Sequence, residues 1–176
     1  MTSTPTSPSE RAEHSRHGYS SYQIAIHWSV VGLVVANWLL GQGMEGVFDA
    51  REEGEAVINL GPAYMHIAIG IVIFLTMAAR LLARIQRPVE TAAGTKHHIM
   101  ALLGRINHWA FYVVLLIMPL LGAVAWFGGS EAAGGLHSLL AWLLVILIAL
   151  HVGGAVLHLL LGENIFRRML RSSPGT

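Results

Sequence analysis

Histidines lie inside long apolar stretches of this chain, where an ionisable side chain is costly to bury. An ionisable residue in a membrane span almost always faces the bundle interior or a cavity, and it marks a functional site. The chain has no cysteine, which excludes iron–sulfur ligation, thiolate haem ligation and covalent haem attachment through C-x-x-C-H. Histidine is therefore the main metal ligand available. The histidines in question are His27, His66, His108, His137, His151 and His158.

The spacing of two of these histidines indicates the kind of site. His137 and His151 are fourteen residues apart in one apolar stretch. On a helix this is almost four turns, so both rings point the same way and are separated by roughly 21 Å along the axis. A hydrocarbon core of about 30 Å has room for two cofactors stacked at these depths. The spacing therefore favours two metal cofactors held one above the other in a membrane.

The composition is that of an integral membrane protein. Hydrophobic residues make up 54% of the 176 residues and charged residues 12%, against about a quarter charged in soluble domains. Four apolar stretches are long enough to cross a bilayer, which takes roughly 20 residues. Pro119, in the third, is expected to kink its helix. The predicted spans are Ile24–Met44, Pro62–Ala83, Ile106–Phe127 and Leu136–Leu161.

Lysine and arginine are distributed unevenly between the loops, and such residues collect on the cytoplasmic side. Ten of the eleven lie on one side, in loops, termini or the adjoining ends of spans, and Arg51 alone lies on the other. This predicts cytoplasmic termini, an outward loop at 45–61 and a short outward glycine-rich loop at 128–135. The fold class is all-α, a four-helix up-down bundle. We expect a polar, disordered tail at 1–20, one domain at 21–170 and a short tail at 171–176.

With this orientation, the position of each histidine along its span indicates its depth in the membrane. His66 and His137 fall near the outer side, and His27 and His151 near the inner side. Each pair joins two helices and could hold an iron between two imidazoles, which leaves no open position for substrate and suits electron transfer. Zinc fits less well, because it prefers about four ligands around one ion. His158 lies on nearly the same helix face as His151 and could replace it as a ligand.

Four further residues are candidates for the surroundings of such cofactors. His108 and His158 remain on the cytoplasmic side and could hydrogen-bond a quinone or carry its proton. Arg80 could bind a haem propionate, although it also fits the positive-inside pattern. Gly70, one turn after His66 on the same face, could give clearance to a flat macrocycle, although small residues also allow close helix packing.

With these residues in place, the chain resembles the bacterial cytochrome b561 family of small four-helix di-haem cytochromes. The likeness extends from Tyr19 to Leu170. No single motif is specific for this family, but the ordered set of motifs on four helices is. The matching segments are YSSYQIAIHW with His27, MHIAIG with His66, MAARLLAR with Arg80, NHWAFY with His108, MPLLG with Pro119 and Gly122, LHS with His137, and LH with His151.

The resemblance implies two b-type haems, ligated by His27, His66, His137 and His151, in a multi-pass protein of the bacterial inner membrane. It also implies electron exchange with ubiquinone at the cytoplasmic side. Some relatives are superoxide oxidases, which pass an electron from periplasmic superoxide to ubiquinone. Here the acidic outer face would repel an anion such as superoxide. The C-terminal segment LGENIFRRML matches the family's usual ending loosely, with Glu163 where an aspartate is common.

Three functions follow from these features. The first is an electron carrier or oxidoreductase linking an outer donor, with superoxide as one candidate, to the ubiquinone pool. The second is a haem-b anchor subunit of a larger dehydrogenase or hydrogenase, for which the acidic 45–61 loop could dock a redox partner protein. The third is a non-haem metal or proton transporter that uses its intramembrane histidines. The net charge of +1 gives no indication of a nucleic-acid partner.

Overall fold

The structure, a computed structural model, describes residues 21–57, 59–86 and 98–161. The tails predicted at 1–20 and 171–176 lie outside the described residues. Within those ranges the chain is all-helical, with no strand, as the composition predicts. The helices are α1 (Ser21–Gly41), α2 (Met44–Glu52), α3 (Gly61–Gln86), α4 (His98–Gly128) and α5 (Glu131–Leu160).

Four of the five helices are long and apolar enough to cross a membrane. The prediction of four spans is thereby confirmed, with shifted boundaries. Helix α4 begins at His98 rather than near Ile106, because the segment IMALLGR consists largely of good helix formers that extend the apolar run. His108 consequently lies ten residues inside its helix instead of at its start. Helix α4 continues through Pro119.

The connection between α4 and α5 is much shorter than the expected loop at 128–135. It consists of Gly129, whose φ of 61° is left-handed, and Ser130. The Ser130 hydroxyl caps α5 by accepting a hydrogen bond from the Ala133 amide at 3.3 Å. Gly134 is helical, and a Cβ there would lie 3.8 Å from Ala125 Cβ. Gly134, which the sequence placed in a loop, thus allows close packing of α5 on α4.

Helix α2 occupies much of the acidic loop at 45–61 and was not predicted. Its nine residues are too few to cross a bilayer. Val47 and Phe48 are half-buried, while Asp49 and Arg51 are exposed. Gly54, with a left-handed φ of 72°, ends the turn that follows. A helix of nine residues is too short to give a periodic signal that can be read from sequence.

The described residues divide into two compact units, one formed by Val30–Gly154 and the other by the terminal segments 21–29 and 155–161. In the first unit α3 packs along α4, and one apolar core joins α3, α4 and α5. Trp38 of α1 also meets Trp142 of α5 edge to face, with centroids 5.4 Å apart. The buried core residues are Ile73, Met77, Tyr112, Val114, Leu115, Met118, Leu144 and Leu147.

Candidate haem-ligand site

Two histidines from different helices meet in the Val30–Gly154 unit. The ring centroids of His66, in α3, and His137, in α5, are 6.0 Å apart, and the ring planes are inclined at 69°. Both side chains are half-buried. The depth argument from sequence paired these two residues, and the structure brings their rings together.

A backbone carbonyl from another helix orients each of the two rings. Nδ1 of His66 lies 3.0 Å from the carbonyl oxygen of Asn37 in α1. Nδ1 of His137 lies 2.8 Å from the carbonyl oxygen of Met118 in α4. A carbonyl can only accept, so Nδ1 carries the proton in both rings. Nε2 is then left with its lone pair, the arrangement that metal-binding histidines use.

Glycines leave room for both rings. A Cβ at Gly41 of α1 would lie 3.2 Å from Cε1 of His66, and a Cβ at Gly122 of α4 would lie 3.0 Å from both Cε1 and Nδ1 of His137. These distances are tighter than ordinary van der Waals contact, so a side chain at either position would press on a ring. The backbones of α1 and α4 can therefore approach the histidines only because these positions are glycine.

The geometry of this pair fits one metal between two imidazoles. Two imidazoles that shared one metal ion through bonds of about 2 Å would have ring centres roughly 6 Å apart. Within the described ranges, no three His, Asp or Glu side chains are placed to share a metal ion. A donor set of two histidines suits a haem iron, whose other four ligands come from the macrocycle.

Asn37 contributes a buried polar side chain beside this site. It is 7% exposed, and its Oδ1 has no hydrogen-bond partner among the described residues. Its Nδ2 would lie 3.8 Å from a Cβ at Gly70. That is an ordinary packing distance, so Gly70 adjoins Asn37 as a helix-packing glycine would. The expected role of Gly70 in giving clearance to a macrocycle stays a prediction.

A second histidine pair lies further along α4 and α5. The rings of His108 and His151 are 5.1 Å apart between centroids and inclined at 87°. Phe111, one turn after His108, also meets His151 edge to face, at 5.6 Å. The sequence placed His108 among the quinone candidates and His151 among the haem ligands. The structure adds that the two rings are neighbours.

Arginines of α3 lie near this second pair. Arg80 and Arg84 both act electrostatically on His108. The Arg84 guanidinium stacks over Trp109 and Tyr112 of α4, at 5.4 and 5.9 Å from the ring centroids. Neither α3 nor α4 contains an Asp or Glu. The positive charge here therefore suits an anionic group such as a haem propionate, the role expected for Arg80.

Two of the sequence candidates belong to the unit of terminal segments. His27 is half-buried and meets Trp28 edge to face, with centroids 5.6 Å apart. His158 is half-buried in the last turn of α5. The predicted pairing of His27 with His151 or His158 stays a prediction.

A pocket of about 380 Å³ lies beside α2 and is called here the α2 pocket. The Arg51 guanidinium stacks 4.6 Å above the Trp126 ring and donates a hydrogen bond to the Trp126 carbonyl at 3.0 Å. Tyr64 meets the same indole edge to face at 6.4 Å. Tyr64 precedes His66 by two residues, and Trp126 follows Gly122 by one turn. The lining residues are Arg51, Glu55, Val57, Leu60, Tyr64, Trp126 and Phe127.

Several residues of this region were not identified from sequence. Gly41 stands at the end of a predicted span without a distinctive pattern, and the carbonyls of Asn37 and Met118 have no sequence signature. Arg51 was counted only as a loop charge, although a lone arginine on an acidic face could have suggested a specific contact. Contacts between helices bring these positions to the candidate site, and spacing along one helix does not reveal such contacts.

Comparison with known proteins identifies the family of this chain. The family model for prokaryotic cytochrome b561 matches residues 18–172. Cytochrome b562 of Cereibacter sphaeroides is 31% identical over 157 residues, covering 88% of this chain and 96% of the relative. The probable superoxide oxidase CybB of Yersinia pestis is 26% identical over 179 residues, covering 89% and 98%. With the matched region spanning all four long helices, the chain belongs to the prokaryotic cytochrome b561 family.

Proposed function

We propose that this chain transfers electrons across the membrane through two b-type haems, between a donor at the α2 pocket and ubiquinone at the other end of the helices. Family membership makes it a multi-pass membrane cytochrome of the bacterial inner membrane, an electron carrier or oxidoreductase. The observation that carries the proposal is the His66–His137 pair, with its 6.0 Å centroid separation and two carbonyl-bound Nδ1 atoms.

In this proposal His66 and His137 would bind one haem iron through Nε2, and His151 would bind the second iron together with His27. His158 is the alternative to His151. A haem with two histidine ligands supplies reversible one-electron transfer and has no open position for substrate. The protein's part is to fix each imidazole, through the Asn37 and Met118 carbonyls at the first site. Arg80 would bind a propionate.

The apolar core lies between the two proposed haem sites. Leu144 lies midway between His137 and His151 on α5 and is 4% exposed. Met118, whose carbonyl binds His137, belongs to the same core. Such a layer excludes water and lowers the local dielectric, and burial is one of the properties that set a haem potential.

The α2 pocket is the proposed place for the electron donor, because its lining reaches to within one turn of Gly122 and two residues of His66. A relative carries the name probable superoxide oxidase, which makes superoxide one candidate donor for this chain. Arg51 is the cation that could attract it, whereas Glu55 in the same lining would repel it.

Substitutions in the α2 pocket test whether the donor is an anion. With superoxide as donor, Arg51→Gln should slow haem reduction by about tenfold at low salt, and Glu55→Gln should accelerate it. Arg51→Lys, which keeps the charge, is the matched control. Rates are measured by stopped flow at several salt concentrations. If Arg51→Gln and Glu55→Gln both reduced haem at the rate of the unsubstituted protein, steering of an anion by this pocket would be excluded.

Ubiquinone is proposed to react at the opposite end, where His108 and His158 could hydrogen-bond its carbonyl or carry its proton. The charge distribution places this end on the cytoplasmic side, and that orientation is part of the proposal. The lipid bilayer would deliver the quinone, so no soluble carrier is required.

A second candidate function is a haem-b anchor for a larger dehydrogenase or hydrogenase. The observation that favours it is the exposed acidic surface around α2, where Asp49, Glu53 and Glu55 are exposed. A basic redox partner could dock there. Co-purification of a stoichiometric partner from the native membrane would favour the anchor over the self-contained carrier.

The proposed function is tested first by counting haem. We expect the purified protein to show a reduced-minus-oxidised spectrum of low-spin b-type haem, with two haems per chain, and to be reoxidised by a ubiquinone analogue. One haem per chain would contradict the two-haem proposal. Protein that stays colourless after haem-sufficient expression would exclude electron transfer by haem and favour the non-haem metal or proton transporter.

A further inference from the structure

We propose that His108 is a positioning residue for His151, holding the imidazole ring through a clamp formed by α4. The inference rests on the proposed function, in which His151 binds a haem iron. It assigns His108 a role beyond that of a quinone candidate. The name α4 clamp is used here for Asn107, His108 and Phe111.

Two rings of the α4 clamp meet the His151 ring. His108 contacts it at 5.1 Å and 87°, and Phe111 contacts it at 5.6 Å and 83°. Both are edge-to-face arrangements, the geometry that aromatic rings prefer. Because the two residues are three apart on one helix, they lie on one face and reach the same neighbour. The His151 ring is thereby in contact with two rings of α4.

The His108 ring is itself held in place. Its Nδ1 lies 2.6 Å from the carbonyl oxygen of Gly104, one turn earlier in α4. Since the carbonyl can only accept, Nδ1 carries the proton. A ring fixed in this way restricts the movement of the neighbouring His151 ring. A side chain without such a hydrogen bond would restrict it less.

Asn107 adds a link between the two backbones. Its Nδ2 donates to the Leu147 carbonyl at 3.4 Å. In α5 that carbonyl is also the acceptor for the His151 amide four residues later. The α4 clamp therefore fixes both the ring of His151 and the helical turn that carries it.

The orientation of an axial imidazole affects the haem it binds, since residues around a metal ligand tune its affinity and potential. In His108→Ala one wall of the clamp is removed. We expect one of the two haems to shift in midpoint potential and in its low-spin electron paramagnetic resonance signal. The other haem should be unchanged. His108→Phe, which restores a ring, should recover most of both properties.

The experiment uses the full-length protein in detergent, with Ile106→Ala, an exposed position on the same helix, as the matched control. His151→Ala is measured alongside and should lose one haem. Retention of both haems in His151→Ala would refute the ligand assignment in the proposed function. Loss of one haem in His151→Ala, together with unchanged potentials and resonance signals in His108→Ala, would refute the clamp alone.

Discussion

The substitutions His66→Ala and His137→Ala should each remove one haem and leave the second in place. The haem content should then fall from two per chain to one. The physical reason is that both imidazoles are expected to bind the same iron, and their ring centroids are 6.0 Å apart. Loss of either imidazole would leave an iron bound here with a single histidine ligand. The measurement is haem per polypeptide, with the spectrum and potential of the remaining haem.

The double variant gives the sharper test of this pairing. If the two histidines serve one iron, His66→Ala with His137→Ala should lose no more haem than either single variant, because effects within one unit are not additive. The retained haem also reports that the protein has folded. Two full haems in either single variant, or complete loss in the double variant alone, would show that the residues do not share an iron.

The second large effect is expected at Gly122. A Cβ there would lie 3.0 Å from two atoms of the His137 ring, so Gly122→Val must displace the ring, the α4 backbone or both. We expect loss of the same haem that His137→Ala removes. Overpacking of this kind should also reduce the free energy of unfolding by about 1–3 kcal/mol.

Gly32 provides the matched control for Gly122. It is also a glycine inside a long apolar helix, but nothing lies within 4 Å of a Cβ built on it. Gly32→Val should keep both haems and change thermal stability little. Equal haem loss in the two variants would mean that any β-branched residue disturbs these helices, and that contact with His137 is not the cause.

The orientation of the His66 and His137 rings illustrates why such sites are sensitive to small changes. Each Nδ1 is bound to a carbonyl of a different helix, so ring orientation depends on the spacing between helices. The protein holds its proposed ligands through backbone groups, which cannot be lost by substitution of one side chain. Glycines at the points of approach are then the positions where substitution acts most directly.

The sequence by itself determined the four long helices and the candidate histidines. Apolar runs of about 20 residues report bilayer crossing directly, and a fourteen-residue spacing brings two side chains to one face of any helix. Even the association of His66 with His137 followed from depth. These properties depend on one segment at a time, or on the simple alternation of helix direction, and both can be read along the chain.

Only the tertiary structure decided what surrounds the histidines. Three contacts join residues on different helical segments: Arg51 with Trp126, Gly122 with His137, and His108 with His151. Rotation of each helix about its axis and the distance between helices determine these contacts. Packing of small and large side chains across the bundle sets both quantities, and no periodicity within a single span encodes them.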